Sequence, residues 1–371
     1  MKQGTPSGLA FLDRALARER ERELLRERPS PLRHRGRCFS SNDYLALAGL
    51  QAPPAEAGAG ASRLVAGERP VHRALEEAAA ELVGLDAALV FTSGYAANLG
   101  LLSALAGPGD LIVSDALNHA SLIDGARLSR AQVVVVPHLD ANAVERALQA
   151  PRRGQAFVVT ESYFSMDADS PDLRTLRRVC DTNGAALLVD EAHSLGVLGP
   201  EGRGLCVEAG IVPDALIGTF GKAFGAGGAF VAGCPSLIAW LWNKARSFVF
   251  STGLSPVVAA AALEGLRVAR RDPGRRARVL DTAREVRGGL EALGVKVAGH
   301  DHILPWIVGE PGRAVALAST LRAAGLDLCA IRPPSVPVGT SRIRLTVTAA
   351  HEPADVTALL DAVRGSLGLH R

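Results

Sequence analysis

From residue 87 onward, short apolar runs alternate with segments of helical length. Seven runs read as strands, at residues 87–91, 111–113, 132–136, 156–160, 186–189, 215–219 and 229–232. They are rich in Val, Ile and Leu and lack the polar alternation of a half-exposed strand. Strands apolar on both pleat faces are covered on both faces, as in a mostly parallel sheet with helices on either side. The pattern predicts an α/β domain with a mostly parallel seven-stranded sheet, whose ligands collect at the carboxyl ends of the strands.

After Pro256 the periodicity lengthens. A helix is expected from Val257 to about Arg270, then charged helical sequence to Leu293. Shorter strands follow at 295–298, 304–308, 327–331 and 342–347, with a helix over 353–364, which together read as a smaller C-terminal α+β domain. Residues 9–28 predict a charged amphipathic helix with Leu12, Leu16, Leu24 and Leu25 on one side. Its arginines alternate with Glu19, Glu21, Glu23 and Glu27, which argues against a transit peptide or a nucleic-acid arm and for a solvated helix docked on the body. The expected divisions are an N-terminal helical arm (1–43), a large domain (44–268) and a small domain (269–371).

Composition narrows the class. A chain of 371 residues suits two domains, and a net charge of +3 gives no argument for nucleic acid. No run approaches the roughly 18 apolar residues of a membrane span, and no apolar signal core opens the chain. Cys38, Cys180, Cys206, Cys234 and Cys329 are scattered, without a Cys-x-x-Cys pair. They suggest reduced thiols in a cytoplasm and no metal site. Among 41 basic residues only Lys2, Lys222, Lys244 and Lys296 are lysines, so chemistry that needs a titratable amine has few candidates.

Two segments carry chemistry. In Val189-Asp-Glu-Ala-His193 an apolar run ends in Asp190, with His193 three residues on. Asp-Glu-Ala-His also occurs in helicases, but the required G-x-x-x-x-G-K-[ST] loop is absent and Lys222 is followed by Ala223. In Thr219-Phe-Gly-Lys-Ala-Phe-Gly225 a lysine enclosed by glycines follows an apolar strand. Desolvation there favours the neutral, nucleophilic amine, and the glycines leave room for a bulky group. Alone, Asp190 could cap a turn and Lys222 could be structural. Together they meet two needs of pyridoxal phosphate chemistry: a lysine for the aldehyde and an acid for the pyridine nitrogen. Thr92-Ser-Gly-Tyr-Ala-Ala-Asn98, a glycine turn entering a helix, offers the phosphate anchor, with the Thr219 hydroxyl as a further contact.

These residues resemble the α-oxoamine synthases, pyridoxal-phosphate-dependent enzymes of fold type I (aspartate-aminotransferase-like). The likeness also runs through Ser40-Ser-Asn-Asp-Tyr-Leu45, Asn118-His-Ala-Ser-Leu122, Thr160-Glu-Ser-Tyr-Phe-Ser-Met-Asp167, Gly202-Arg-Gly204 and Phe250-Ser-Thr252. The run from Ala330 to Thr340 and Arg344-Leu-Thr-Val-Thr-Ala-Ala-His351 most resemble the biotin-synthesis branch, which joins L-alanine to a pimeloyl thioester and releases carbon dioxide.

The resemblance implies that Lys222 holds the cofactor aldehyde and Asp190 pairs with the pyridine nitrogen. It implies that His119 stacks on the ring and that His193 and Ser165 lie near the phenolic oxygen, with His193 helping acid–base steps. Gly94, Tyr95 and Thr219 correspond to anchoring positions. Ser251 and Thr252 correspond to a phosphate contact across a homodimer with shared active sites. Arg344 is the implied partner of the amino-acid carboxylate, and Arg26, Asn42 and Ser335 are implied substrate-side positions. Departures at Ala61 and Ser194 would bear on pocket shape. Rival expectations are a relative using glycine with another acyl thioester, such as a glycine C-acetyltransferase, simple transamination, or a non-catalytic cofactor-binding regulator. The thiol carrier, coenzyme A or acyl carrier protein, is left open. The basic run Arg33-His-Arg-Gly-Arg37 suits either carrier, or a solvated surface.

Overall fold

The computed structural model describes residues 7–26 and 37–368. It contains two compact units: Asn42–Asp281, and the residues up to Ser41 taken with those from Thr282 onward. The division thus falls within the helix Pro273–Ala292, and the N-terminal residues share a unit with the C-terminal ones.

In the larger unit the seven expected strands are β1 (Ala87–Phe91), β2 (Leu111–Asp115), β3 (Gln132–Val136), β4 (Ala156–Glu161), β5 (Ala186–Asp190), β6 (Ala215–Thr219) and β7 (Ala229–Gly233). They form one sheet in the order β1-β7-β6-β5-β4-β2-β3. β2 to β6 run parallel, and β7 is antiparallel to both its neighbours, β1 and β6. β2, β4 and β5 extend past the apolar runs to end on Asp115, Glu161 and Asp190. Hydropathy alone stops short of such polar ends, yet they are where the chemistry gathers.

The core packs Leu89, Phe91, Ile112, Val159, Leu188, Ile217 and Val231 of the sheet against Leu101, Leu122 and Leu241 of the helices. Each such burial is worth about 1.5–3 kcal/mol relative to exposure. Double coverage fails for β3, one of the two edge strands, where Val133 and Val135 are exposed. Side-chain caps fix the helix starts: Ser93 accepts from Ala96 N at 3.1 Å, Asp140 from Ala143 N at 2.8 Å and Asp172 from Thr175 N at 3.0 Å.

The smaller unit holds an antiparallel sheet of β8 (Ile303–Gly309), β9 (Ala330–Ile331) and β10 (Ser341–Thr346), in the order β8-β10-β9. Its core joins Phe39, Val286, Leu304, Leu321, Ile343, Leu345 and Leu359. Two expected strands shrink. Residues 295–298 contribute only a Val297–Trp306 bridge, and 327–331 reduce to β9. The cause of the second is backbone pairing with the N-terminal segment, in which Phe39 N donates to Asp327 O and Asp327 N to Arg37 O, both at 2.8 Å. The expected 9–28 helix is Phe11–Glu21. It stops before Glu23, whose φ is 58°, and residues 27–28 lie outside the described residues. No residue of that helix is buried, and Leu12 and Leu16 are exposed, contrary to the docking expected of them. Of the basic run 33–37, only Arg37 is described. No helix among the described residues is long and apolar enough to cross a membrane.

Candidate active site

Parallel strands release their side chains at one edge of the sheet, and the larger unit assembles its polar cluster there. Asp190, at the end of β5, is 7% exposed. Its Oδ2 accepts from Asn98 Nδ2 at 2.8 Å and its Oδ1 from Ala192 N at 2.9 Å. Asn98, buried on the helix Gly94–Leu105, also donates to Ser121 Oγ at 2.9 Å. Both carboxylate oxygens are thus oriented by donors, which suits an anion held beside a cationic ring nitrogen.

Lys222 lies in the turn between β6 and β7. The Thr219 hydroxyl shapes this turn, donating to Gly228 O and accepting from Gly221 N, both at 3.1 Å. Lys222 is half-buried, and its Nζ lies 2.8 Å from His193 Nε2. The other nitrogen of His193, Nδ1, lies 2.7 Å from the Tyr44 hydroxyl.

His119 caps the helix Ala120–Ser129, with its Nδ1 2.7 Å from Ser121 Oγ. Its surface remains open, which leaves ring area for stacking. Its pKa is lowered by desolvation, with Lys222 adding to that effect and Asp190 opposing it. The His119 backbone N–H donates to Glu161 Oε1 at 2.7 Å.

Glu161 ends β4 and pairs in register with Asp190. Burial and the Asp190 charge push its carboxyl up to about 8, against Lys222 and the backbone donors of His119 and Ser165. A folded-state pKa above the unfolded value of 4.5 means that the folded chain holds the extra proton. That stabilisation is complete below about pH 4.5 and is lost as pH rises through about 8. Glu161→Gln keeps an acceptor for the His119 N–H without the charge. It should flatten the decline in Tm of the cofactor-free chain between about pH 5 and 8. Thermal melts of both chains across that range check this, and an unchanged slope would contradict the assignment.

Ser165 sits in the loop after β4, 8% exposed. His138 braces that loop, with Nδ1 2.8 Å from Asp115 Oδ1 and Nε2 3.1 Å from Asp169 Oδ2. Burial opposes its protonation, but the two carboxylates push its pKa up to about 10.

Gly94 opens its helix. A methyl group added there would meet nothing within 4 Å, so open space faces the first turn. The Tyr95 hydroxyl donates to Asp124. Ser251 and Thr252 line a small cleft with Thr92 and Arg63. The following backbone is tied by Gly253 N to Ala61 O at 3.0 Å and by His72 Nε2 to Leu254 O at 2.7 Å. Ala61 thus acts through its carbonyl.

Ser194 is fully buried, and its hydroxyl bonds to the Glu191 carboxylate and lies 3.0 Å from Ser162 Oγ. Glu191 also accepts from Leu205 N at 3.0 Å and Cys206 N at 2.7 Å. Gly204, at φ +92°, leaves the space that this carboxylate fills. Ser194, one of the two expected departures, and Glu191 form one bonded pair that holds the turn between Asp190 and His193.

In the smaller unit Arg26 Nη2 donates to Ser335 Oγ at 3.0 Å. Arg332 donates to the carbonyls of Glu23 and Leu25 alongside it. Arg344 lies on β10 opposite Pro305 and is buried. Asn42, in the larger unit, accepts the Tyr44 hydroxyl through Oδ1 at 3.1 Å. Tyr44, Asn98 and Glu161 were not singled out by sequence reasoning. Glu161 carried a usable signal, since it ends an apolar strand just as Asp190 does.

A parallel sheet with one reversed strand, an acid at one strand end and a lysine in the next turn define the class of protein. The chain belongs to the aminotransferase class I and II family, whose profile matches residues 38–363. Within that class it is similar to the 8-amino-7-oxononanoate synthase of Anaeromyxobacter dehalogenans strain 2CP-1. The two are 46% identical over 88% of this chain and 85% of the relative. Among solved structures, the serine palmitoyltransferase of Sphingomonas wittichii has a TM-score of 0.89 at 29% identity, covering 99% of this chain and 100% of that one. A serine palmitoyltransferase from S. paucimobilis with bound PLP has a TM-score of 0.85 at 27% identity, covering 99% and 100%.

Proposed function

We propose that the chain is a pyridoxal-phosphate-dependent acyltransferase of biotin synthesis. It would condense L-alanine with a pimeloyl thioester to give 8-amino-7-oxononanoate, carbon dioxide and the free carrier thiol. The observation that carries this reading is the 46% identity to an 8-amino-7-oxononanoate synthase over most of both chains. In the net reaction a carbon–carbon bond forms between the alanine Cα and the acyl carbonyl. The C–S bond breaks, and the alanine carboxylate leaves as carbon dioxide.

The residues fit the cofactor. A donor-oriented carboxylate, a half-buried lysine 2.8 Å from an imidazole, an open-faced histidine and unfilled space before a helix match its ring nitrogen, aldehyde, ring face and phosphate. When bound, pyridoxal phosphate supplies an electron sink for the negative charge that develops on the amino-acid Cα. Lys222 would hold the aldehyde and, once displaced, take the Cα proton. His193 Nε2 would exchange a proton with Nζ and steady charge at the thioester oxygen. Asp190 would favour the protonated pyridine nitrogen, and His119 would cover the ring. Gly94, Tyr95, Thr219 and Ser165 would anchor the cofactor, and Arg344, Asn42, Arg26 and Ser335 would serve the substrates. A homodimer completes the proposal, with Ser251 and Thr252 reaching the partner's phosphate and the acyl donor presented on coenzyme A or by an acyl carrier protein. A cytoplasmic setting fits five cysteines without a disulfide.

The test offers L-alanine, glycine and L-serine to the purified chain, with pimeloyl-CoA, pimeloyl-acyl carrier protein and acetyl-CoA. Labelled carbon dioxide and the ketone product are then measured. Alanine with a pimeloyl donor should be the best pair. Faster turnover of glycine with acetyl-CoA would move the chain to a glycine C-acetyltransferase. Amino-group exchange without carbon dioxide would mean transamination.

A further inference from the structure

Tyr44 is one of three tyrosines in the chain and is 0% exposed. It sits in a turn closed by Asp43, whose carboxylate accepts from Leu47 N at 2.8 Å and Ala48 N at 3.0 Å. Arg275 Nη1 adds a 2.9 Å bond to Leu45 O. On the other side the turn meets Gly225, at φ +65°, so closely that a Cβ there would overlap the Leu47 backbone. Gly225 lies in the same turn as Lys222, with Gly225 N bonded to Lys222 O at 3.0 Å. The Tyr44 hydroxyl is therefore set against the lysine turn by backbone packing and not by a flexible reach.

A phenol has one proton to donate and two lone pairs to accept with. Asn42 Oδ1, 3.1 Å away, can only accept, so the Tyr44 proton goes there. His193 Nδ1, 2.7 Å from the same oxygen, must then be the donor. A neutral imidazole that carries its proton on Nδ1 has a bare Nε2, and that nitrogen faces Lys222 Nζ at 2.8 Å. The ring is buried, so little water competes for either nitrogen. When the ring gains a second proton, Nε2 becomes a donor and the Nδ1 bond to Tyr44 is unchanged. One fixed hydroxyl thus serves both charge states of the histidine.

We propose that Tyr44 is a positioning residue that, together with Asn42, holds His193 as its Nδ1–H tautomer, so that Nε2 accepts a proton from the Lys222 side. The catalytic part of this inference rests on the function proposed above, but the tautomer does not.

The long-range proton–nitrogen NMR spectrum of the histidine-labelled full chain tests it, with the His193 signal identified by its loss in His193→Gln. The wild-type ring should show the proton on Nδ1. In Tyr44→Phe it should become a mixture or shift to Nε2–H. Turnover should fall about 10- to 100-fold in kcat, with a smaller change in KM for the amino acid. A wild-type Nε2–H ring would overturn the proposal, because it would mean that the Asn42 amide is turned and that Tyr44 donates to the histidine. An unshifted tautomer in Tyr44→Phe would overturn it as well. If Tyr44→Phe does not fold, the wild-type spectrum alone decides. A tautomer that behaves as expected in a chain without condensing activity would leave this proposal standing and the functional reading refuted.

Discussion

Replacing Lys222 by alanine should lower product formation by at least about 10³-fold, because one amine would both hold the cofactor and move the Cα proton. The chain has three other lysines. Lys2 is outside the described residues, Lys244 ends a helix with its Nζ 5.7 Å from the Trp240 ring, and Lys296 lies in the smaller unit. The mutant should also lose the visible absorbance of covalently held pyridoxal phosphate. Borohydride reduction and peptide mapping of the wild type should label Lys222 alone. Full activity in Lys222→Ala would remove the basis of the assignment.

Asp190→Asn should lower kcat by roughly 10²-fold or more, the scale of losing one preorganised charge in a desolvated site. An amide cannot accept at both oxygens, so either Asn98 Nδ2 or Ala192 N would face another donor. Cofactor affinity should weaken alongside turnover. A second consequence needs no cofactor. Asp190 raises the Glu161 pKa, so its removal should bring that value down from about 8. The decline in Tm with rising pH would still begin near the unfolded value of 4.5 but end at lower pH. Spectroscopic titration with pyridoxal phosphate and thermal melts of the cofactor-free variant read the two effects separately. Unchanged cofactor binding would argue against Asp190 as the partner of the ring nitrogen.

Much of the larger sheet was legible because strands covered on both faces are continuously apolar. Asp190 and Lys222 stood out because a charged residue directly after such a run is conspicuous. Glu161 follows its apolar run just as directly and carried the same signal, whereas the run before Asp115 stops two residues short of it. Tyr44 and Asn98 act through partners 149 and 92 residues away, His193 and Asp190, and no local pattern encodes those pairings. The smaller sheet was less legible for a related reason. The pairing of Phe39 and Arg37 with Asp327 diverts residues whose propensity suited a strand. The N-terminal helix was over-extended because alternating Arg and Glu continue beyond Glu21, whereas the left-handed backbone at Glu23 breaks the helical path.

The reversed direction of β7 has a dynamic consequence. A parallel neighbour would be reached through a long crossover, whereas β6 and β7 are joined by residues 220–228 alone, with Lys222 inside. Both ends of that segment are zipped, Thr219 opposite Ala229 and Phe220 N bonded to Gly228 O at 3.0 Å, and Ala226 N returns to Phe220 O at 2.9 Å. Opening it locally means unpairing the interior of the sheet, so amide hydrogens at 220 and 226 should exchange near the slow limit of the unit. If Lys222 holds the cofactor as proposed, it would move between cofactor and substrate by rotating its own side-chain bonds above a stationary backbone.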